Sequence, residues 1–152
     1  MLDRERRGWL SSLRLVRQFR GVTLVHASLD SPGSWGYVGT PAEAELCMAC
    51  QGTPLCFIGH THLPRIFSRG EGEILPPWET GWIIPAEGKY LVNAGSVGQP
   101  RDGDPRACYV IHDEEEGSLL FRLVPYDTAA AAHALRGAGL PERLAKRLLI
   151  GS

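Results

Sequence analysis

Two histidines follow directly on a short apolar run, and this stretch constrains the fold more than any other. Residues 54–58 are apolar, and Gly59-His60-Thr61-His62 closes the run. On a regular strand, residues i and i+2 point to the same face, and a glycine before them allows the backbone to turn sharply. We therefore expect both imidazoles to converge on one point, where neutral imidazole binds transition metals. A pair of loop histidines without a ligand role is the alternative that the motif alone leaves open.

A second apolar strand also ends in a histidine. Val22–Val25 is apolar and largely β-branched, and His26 follows it. Between the two strands, Thr40-Pro41-Ala42-Glu43 has the residues of a capped helix start, and we expect a helix over residues 41–50. A strand, helix, strand order favours parallel neighbours, whose carboxyl ends meet at one edge of a sheet. Considered alone, His26 could equally be a hydrogen-bonded core residue. The residues predicted to gather at that edge are His26, His60 and His62.

The rest of the chain predicts a mixed α and β fold, of class α/β, with more strands than helices. Trp9, Leu13 and Val16 recur at helical spacing, so we expect a helix over residues 2–19 that Gly21 ends. Helices are also predicted after Asp127 and from Pro141. Further strands are predicted at 65–68, 82–84, 89–92, 107–111 and 118–124, the last two as a hairpin.

Length and charge indicate an ordinary soluble domain. The chain has 152 residues, 43% hydrophobic and 22% charged, with a formal net charge of -1. We expect one domain over residues 1–152. The near-neutral charge argues against a nucleic-acid surface or a polybasic membrane patch. No apolar run approaches the roughly 20 residues that span a bilayer, and no signal-peptide core follows the charged start, so we expect a cytoplasmic protein.

The four cysteines suggest free thiols in a reducing compartment. An alternative use is a structural zinc site in which Cys47, Cys50 and Cys56 join His60. Against that alternative, the first two cysteines lie in a predicted helix, and Cys56 lies in an apolar strand, where cysteine serves as a small hydrophobic residue.

Three segments, taken together and in this order, resemble the second half of calcineurin-like metallophosphoesterases. They are residues 24–28 (Leu-Val-His-Ala-Ser), 57–64 (Phe-Ile-Gly-His-Thr-His-Leu-Pro) and 93–101 (Asn-Ala-Gly-Ser-Val-Gly-Gln-Pro-Arg). The resemblance covers nearly the whole chain and implies part of a sandwich of two mixed sheets flanked by helices. It implies hydrolysis of a phosphate mono- or diester by two divalent ions about 3.5–4 Å apart. Manganese, iron and zinc all suit histidine with carboxylate.

The resemblance also implies roles for individual residues. His26 and His60 look like ligands of one ion, and His62 looks like a ligand of the other. Residues 93–101 would be a structural loop behind the site, without a catalytic role. The sequence identifies no substrate-binding residue.

The chain departs from the family pattern in its first part. Family members carry Asp-x-His, Gly-Asp-x-x-Asp and Gly-Asn-His-Asp or Gly-Asn-His-Glu elements before this region, and none of them is in this chain. Those elements supply the bridging aspartate, the remaining ligands and the histidine that protonates the leaving group. We therefore expect no catalytic residue in this chain, and weak or absent activity for the chain alone.

Two hypotheses of function follow. In one, the chain is part of an enzyme, and the absent elements lie upstream or on a separate chain. In the other, it is a truncated, non-catalytic fragment that binds a metal or a partner. Bare edges on the strands near His26 and Ile58 would favour a homo-oligomer or a complementing N-terminal half.

Overall fold

A computed structural model describes residues 2–78 and 81–152 of the chain. The helices in these ranges are α1 (Arg4–Ser12), α2 (Pro41–Ala49), α3 (Thr128–Gly137) and α4 (Glu142–Ile150), with a short 3₁₀ turn at Pro32–Ser34. The strands are β1 (Val16–Phe19), β2 (Val22–Val25), β3 (Leu55–Ile58), β4 (Pro64–Ser68), β5 (Gly72–Ile74), β6 (Trp82–Ile83), β7 (Tyr90–Ala94), β8 (Ala107–Asp113) and β9 (Ser118–Val124).

These strands form two sheets. The larger sheet has the order β1-β2-β3-β7-β4-β5, with β2, β3 and β7 parallel and the other pairs antiparallel. The smaller sheet has the order β6-β9-β8 and is antiparallel in the described residues. The predicted parallel pairing of β2 with β3 across helix α2 is confirmed, as is the β8–β9 hairpin. Part of the predicted turn region, residues 79 and 80, lies outside the described ranges.

Other elements pack on both faces of the larger sheet, and one of these faces is covered only in part. One face packs on α2 through a cluster that includes Cys47, Met48 and Leu91. The other face packs on the smaller sheet through a cluster that includes Val92 and Phe121. Neighbouring residues of β7 thus contribute to opposite faces, as the alternation of a buried strand requires. The mixed α/β class and the two-sheet sandwich are confirmed.

The predicted helix over residues 2–19 is wrong in its second half. Helix α1 ends at Ser12, and residues from Val16 form β1, which pairs antiparallel with β2. Arg20 (φ 47°) and Gly21 (φ 75°) both adopt left-handed backbone between Phe19 and Val22. Two consecutive positive φ values are what a two-residue hairpin turn of type I′ requires. Gly21 therefore closes a hairpin and does not end a helix.

The expected bare strand edges are also corrected. Strand β2 lies between β1 and β3, and β3 lies between β2 and β7. The strand at that side of the sheet is therefore β1, which pairs with β2 in a hairpin. The edge of β2 that the sequence analysis expected to be bare is thus covered.

An apolar groove remains beside β2, where the smaller sheet does not cover the larger one. It has a volume of about 610 Å³ and reaches His26 at one end. We call it the β1–β3 groove; its walls include Leu13, Leu15, Leu24 and Phe57, with Arg14 and Arg17 among them. Leu24 is 42% exposed although it lies in the middle of a sheet. In residues 2–78 and 81–152, no helix is long and apolar enough to cross a membrane.

Candidate metal centre

The parallel pairing of β2 and β3 brings two histidine loops together at the carboxyl edge of the sheet. His26 follows the last residue of β2, and Gly59 and His60 follow the last residue of β3. The Gly59 N–H donates to the His26 carbonyl oxygen at 2.9 Å and so extends the strand pairing past the strand ends. The two backbones are therefore held at a fixed separation where the imidazoles begin.

His26 and His60 are in direct contact. Their Nε2 and Nδ1 atoms are 3.2 Å apart, and the ring centroids are 5.1 Å apart. Two nitrogens that each lie about 2.0–2.1 Å from one ion, at angles between about 90° and 110°, are about 2.9–3.4 Å apart. The observed separation is thus the one that two imidazoles sharing a divalent transition metal need. Without an ion, one ring donates a hydrogen bond to the other.

His60 and His62 do not lie on a regular strand. Both have left-handed backbone, with φ values of 67° and 63°, and β3 has already ended at Ile58. The expectation that alternation along a strand would align the two side chains is therefore wrong in its geometry. A non-glycine residue in this region costs about 1–2 kcal/mol, although histidine is enriched there. Two such residues in one short loop indicate that the surrounding contacts hold the loop in place.

Asn93, the penultimate residue of β7, stabilises the loop that carries His60 and His62. Its side chain is fully buried. The amide Nδ2 donates to the Gly59 carbonyl and to Thr61 Oγ1, both at 2.8 Å, and Oδ1 accepts from the Gly95 N–H at 3.0 Å. Residues 93–101 thus support the histidine loop from behind, which is the role that the family resemblance implied for them.

His62 is oriented by the same supporting loop. Its Nδ1 lies 2.7 Å from the carbonyl oxygen of Gln99. A carbonyl only accepts, so Nδ1 carries a proton, and in the neutral ring Nε2 keeps its lone pair. Metal-binding histidines commonly have this arrangement, in which the second nitrogen donates to a backbone carbonyl. Among the described residues, no hydrogen bond joins His62 to the pair formed by His26 and His60.

The surroundings of His26 favour its neutral form. Burial lowers the pKa of His26 below the usual value of imidazole, and the charges of His60 and His62 lower it further. His26 is therefore neutral at pH 7, the form that binds a metal.

Two aromatic residues beside the pair were not predicted as site residues. Tyr37 stacks on His60 with ring centroids 4.4 Å apart and an interplanar angle of 19°. Trp35 lies 5.3 Å from the His26 ring and 5.9 Å from the His60 ring. Both belong to the Ser- and Gly-rich loop after β2, and only the fold places that loop over the end of β3. The sequence signal that could have identified them is the presence of two aromatic residues in an otherwise polar loop.

The three histidines would supply only part of the ligands that a metal centre needs. In the described part of the chain, no three His, Cys, Asp or Glu side chains are grouped to hold one ion. The alternative zinc site is therefore not formed there: Cys47 accepts a hydrogen bond from the Leu29 N–H at 3.2 Å, and Cys56 is buried in the sheet. His26 and His60 suit one ion by their separation, and His62 suits a ligand by its tautomer. An ion held by these histidines would need further ligands from water or another segment.

Comparison with known proteins identifies the family to which this two-sheet sandwich, with histidines at its strand ends, belongs. Residues 8–117 match the sequence model of the calcineurin-like phosphoesterase superfamily domain. The chain therefore belongs to the calcineurin-like phosphoesterase superfamily.

Individual relatives extend the match over nearly the whole chain. A metallophosphoesterase crystal structure from Sphaerobacter thermophilus superposes with a TM-score of 0.93 at 36% identity, covering 99% of this chain and 63% of that one. An uncharacterized protein of Methanocaldococcus jannaschii is 33% identical over 99% of this chain and 62% of its own length. A hypothetical protein of Pyrococcus horikoshii, at 18% identity and a TM-score of 0.72 over 97% of this chain and 55% of that one, supports the fold alone. The chain thus spans less than two thirds of the length of each of these three proteins.

Proposed function

We propose that this chain supplies one wall of a two-metal phosphoesterase centre that hydrolyses a phosphate mono- or diester. The observation that carries the proposal is the 3.2 Å separation of His26 Nε2 and His60 Nδ1 at the carboxyl edge of parallel strands. His26 and His60 would hold one ion, and His62 would contribute Nε2 to a second. Bound manganese, iron or zinc would activate water and neutralise phosphoryl oxygens.

The chain's own residues would act by positioning. Asn93 fixes the loop that carries His60, and Gln99 fixes the tautomer of His62. Both contacts would reduce the reorganisation needed when an ion binds, since they hold the histidine loop and the His62 ring in place beforehand. Neither residue touches the reacting phosphate in this proposal.

The site would be completed by a partner segment, and we propose that this segment lies in the β1–β3 groove. The relatives are longer than this chain by more than a third of their own length, and the groove opens beside His26. Exposed Leu24 and half-buried Phe57 provide an apolar floor, and Arg14 and Arg17 suit an acidic segment. Such a segment would bring the carboxylates that divalent ions with histidine ligands also need.

Hydrolysis of bis-p-nitrophenyl phosphate with Mn²⁺ or Zn²⁺ tests the proposed function. We expect the purified chain to be no faster than its His60→Ala/His62→Ala variant. We expect a fusion to the segment of the Sphaerobacter thermophilus metallophosphoesterase that this chain does not match to show turnover that the same double substitution abolishes. The substitution His133→Ala, on an exposed position of α3, should leave that turnover unchanged.

Two outcomes would count against the proposal. Histidine-dependent turnover by the chain alone would show that no partner segment is needed. A folded fusion that binds metal but does not turn over would favour the second function, a non-catalytic metal- or partner-binding fragment. The observation that favours a non-catalytic fragment is that no three ligand side chains are grouped in the described residues.

A further inference from the structure

The two C-terminal helices form a hairpin whose buried residues belong to neither core cluster of the sheets. These residues are Ala132 of α3 and Ala145 and Leu148 of α4. An exposed ion pair, with Arg136 Nη2 and Glu142 Oε1 2.7 Å apart, joins the two helices. The α3–α4 hairpin therefore adds nothing to the cores that join the sheet layers, and its position in the fold needs another explanation.

The end of α4 fits closely against the loop that precedes β8. Gly151 caps α4, is buried and has a φ of 67°. Its carbonyl oxygen accepts a hydrogen bond from the Gly103 N–H at 2.8 Å. A Cβ added at Gly151 would lie 2.6 to 2.7 Å from backbone atoms of Asp104, a distance that real Cβ atoms essentially never show. A side chain at this position would therefore push α4 and the loop apart.

The same loop holds His62 at both its side chain and its backbone. The Gln99 carbonyl accepts from His62 Nδ1 at 2.7 Å, and the Arg101 N–H donates to the His62 carbonyl at 3.3 Å. Pro100, between these two contacts, is fully buried, and its ring fixes its φ. The position of the loop therefore decides where the His62 ring lies and which of its nitrogens carries the proton.

The loop has few other attachments beyond Pro100. In the described residues, two hydrogen bonds join residues 100–106 to segments outside the loop, namely those of Arg101 with His62 and of Gly103 with Gly151. The remaining hydrogen bonds of residues 100–106 stay within the loop. The two attachments lie two residues apart in the chain, so a displacement at the α4 end reaches the residues that hold His62.

We propose that Gly151 is a positioning residue for His62, and that the α3–α4 hairpin acts through this loop on the metal centre. The inference rests on the proposed function, which makes His62 a ligand. The end of α4 holds Gly103, and the loop then keeps the Gln99 carbonyl at His62 Nδ1, so that Nε2 of the neutral ring stays free of a proton. A displaced loop withdraws that carbonyl, and a proton on Nε2 competes with a metal ion.

The test measures the tautomer of His62 by NMR spectroscopy of the isotopically labelled, metal-free chain at pH 8, above the ordinary pKa of imidazole. The quantity is the ratio of rings protonated at Nδ1 to rings protonated at Nε2. We expect Gly151→Ala to lower this ratio about 2- to 12-fold, the factor that corresponds to one hydrogen bond.

Gly139→Ala is the matched control. Gly139 follows α3 with a φ of 70°, and no atom of the described residues lies within 4 Å of an added Cβ. This substitution introduces the same backbone strain as Gly151→Ala without the contact to the loop. It should leave the tautomer ratio of His62 unchanged.

A second variant decides the question if Gly151→Ala does not fold. Ala145→Gly weakens α4 from within, because glycine is a poor helix former, and it adds no atom at the contact with the loop. We expect it to lower the His62 ratio in the same direction by a smaller factor. Amide spectra of the same samples show whether each variant is folded.

A folded Gly151→Ala variant with the wild-type ratio, or an equal fall in Gly139→Ala, would overturn the inference. So would a wild-type ring protonated mainly at Nε2, or, where Gly151→Ala does not fold, an unchanged ratio in Ala145→Gly. Zn²⁺ binding that is indifferent to His26→Ala and His60→Ala would overturn the proposed function. The tautomer ratio is measured without metal, so the two failures are distinguishable.

Discussion

At the scale of residues, Asn93 joins residues 93–101 to the loop that carries His60 and His62. Its fully buried amide satisfies the Gly59 carbonyl, the Thr61 hydroxyl and the Gly95 N–H at once. Asn93→Ala leaves these groups without their partner, and buried polar groups without partners are costly. We expect the free energy of unfolding in urea to fall by about 2–4 kcal/mol.

Gln18→Ala is a suitable comparison for Asn93→Ala. Gln18 lies exposed on β1 and makes a long side-chain hydrogen bond of 3.4 Å to Thr23. Its substitution should change stability by less than about 0.5 kcal/mol. An Asn93→Ala variant as stable as the Gln18→Ala variant would show that the histidine loop does not depend on this amide.

The cysteines give a second prediction, because three of the four thiols are buried and should react more slowly than the exposed one. Burial raises the pKa of Cys56 to about 12 and of Cys108 to about 11, and it also raises the pKa of Cys47. Their thiolate fractions at pH 8 are therefore small, about 1 in 10⁴ for Cys56, and Cys50 is the exposed thiol.

We expect Ellman's reagent to label one thiol rapidly in the native chain at pH 8 and all four after denaturation. Cys50→Ser should remove the rapid phase. Rapid labelling of two or more thiols in the native protein would show that the buried sulfur atoms are more accessible than the packing indicates.

The sequence predicted that His26, His60 and His62 gather, and the structure brings His26 and His60 into contact without grouping all three around one point. The sequence did not predict how the histidine loop is held. His26 and His60 could be placed because each ends an apolar strand and the connecting helix makes those strands parallel. The left-handed backbone of His60 and His62 could not be predicted, since it depends on Asn93, some 30 residues later in the chain. Tyr37 was missed for a similar reason: its contact with His60 exists only after the sheet has formed.

At the scale of elements, the β1–β2 hairpin depends on its two-residue turn. Gly21 has a φ of 75°, and no atom of the described residues lies within 4 Å of the position where a Cβ would be added. Gly21→Ala therefore creates backbone strain without a steric clash, and it should lower the free energy of unfolding by about 1 kcal/mol.

Gly137→Ala is the matched control for the turn. Gly137 is the last residue of α3, has the same open space where an added Cβ would lie, and has no positive φ. Alanine favours a helix, so this substitution should raise stability by up to about 1 kcal/mol. If both substitutions changed stability in the same direction, the turn conformation would not be the cause.

The sequence predicted most elements where the local signals agree with the tertiary structure. Helix α2 has its capping box, with Thr40 accepting from the Glu43 N–H and the Glu43 carboxylate accepting from the Thr40 N–H. Strand β1 was mistaken for helix because Leu13 and Val16 continue the spacing of Trp9. In the structure α1 buries none of its residues. The helical spacing of its apolar residues therefore does not correspond to a face that packs on the core.

At the scale of the whole molecule, the β1–β3 groove predicts self-association of the isolated chain. Exposed Leu15 and Leu24 contribute to one apolar surface, which favours contact with a second copy when no partner segment covers it. We expect sedimentation velocity to show concentration-dependent association, and Leu24→Glu to reduce it.

Leu75→Glu serves as the control for the groove. Leu75 is 83% exposed and lies outside the groove, so its substitution should leave association unchanged. A wild-type chain that stays monomeric at all concentrations would contradict the proposal that the groove needs a cover.

We propose that the imidazoles, and not the cysteines, bind a metal ion. X-ray absorption at the zinc edge, on the purified chain with one equivalent of Zn²⁺, tests it most directly. We predict a first shell of nitrogen and oxygen at about 2.0–2.1 Å, with the imidazole signal lost in the His26→Ala/His60→Ala variant. A sulfur shell at about 2.3 Å, from Cys47, Cys50 or Cys56, would contradict the account.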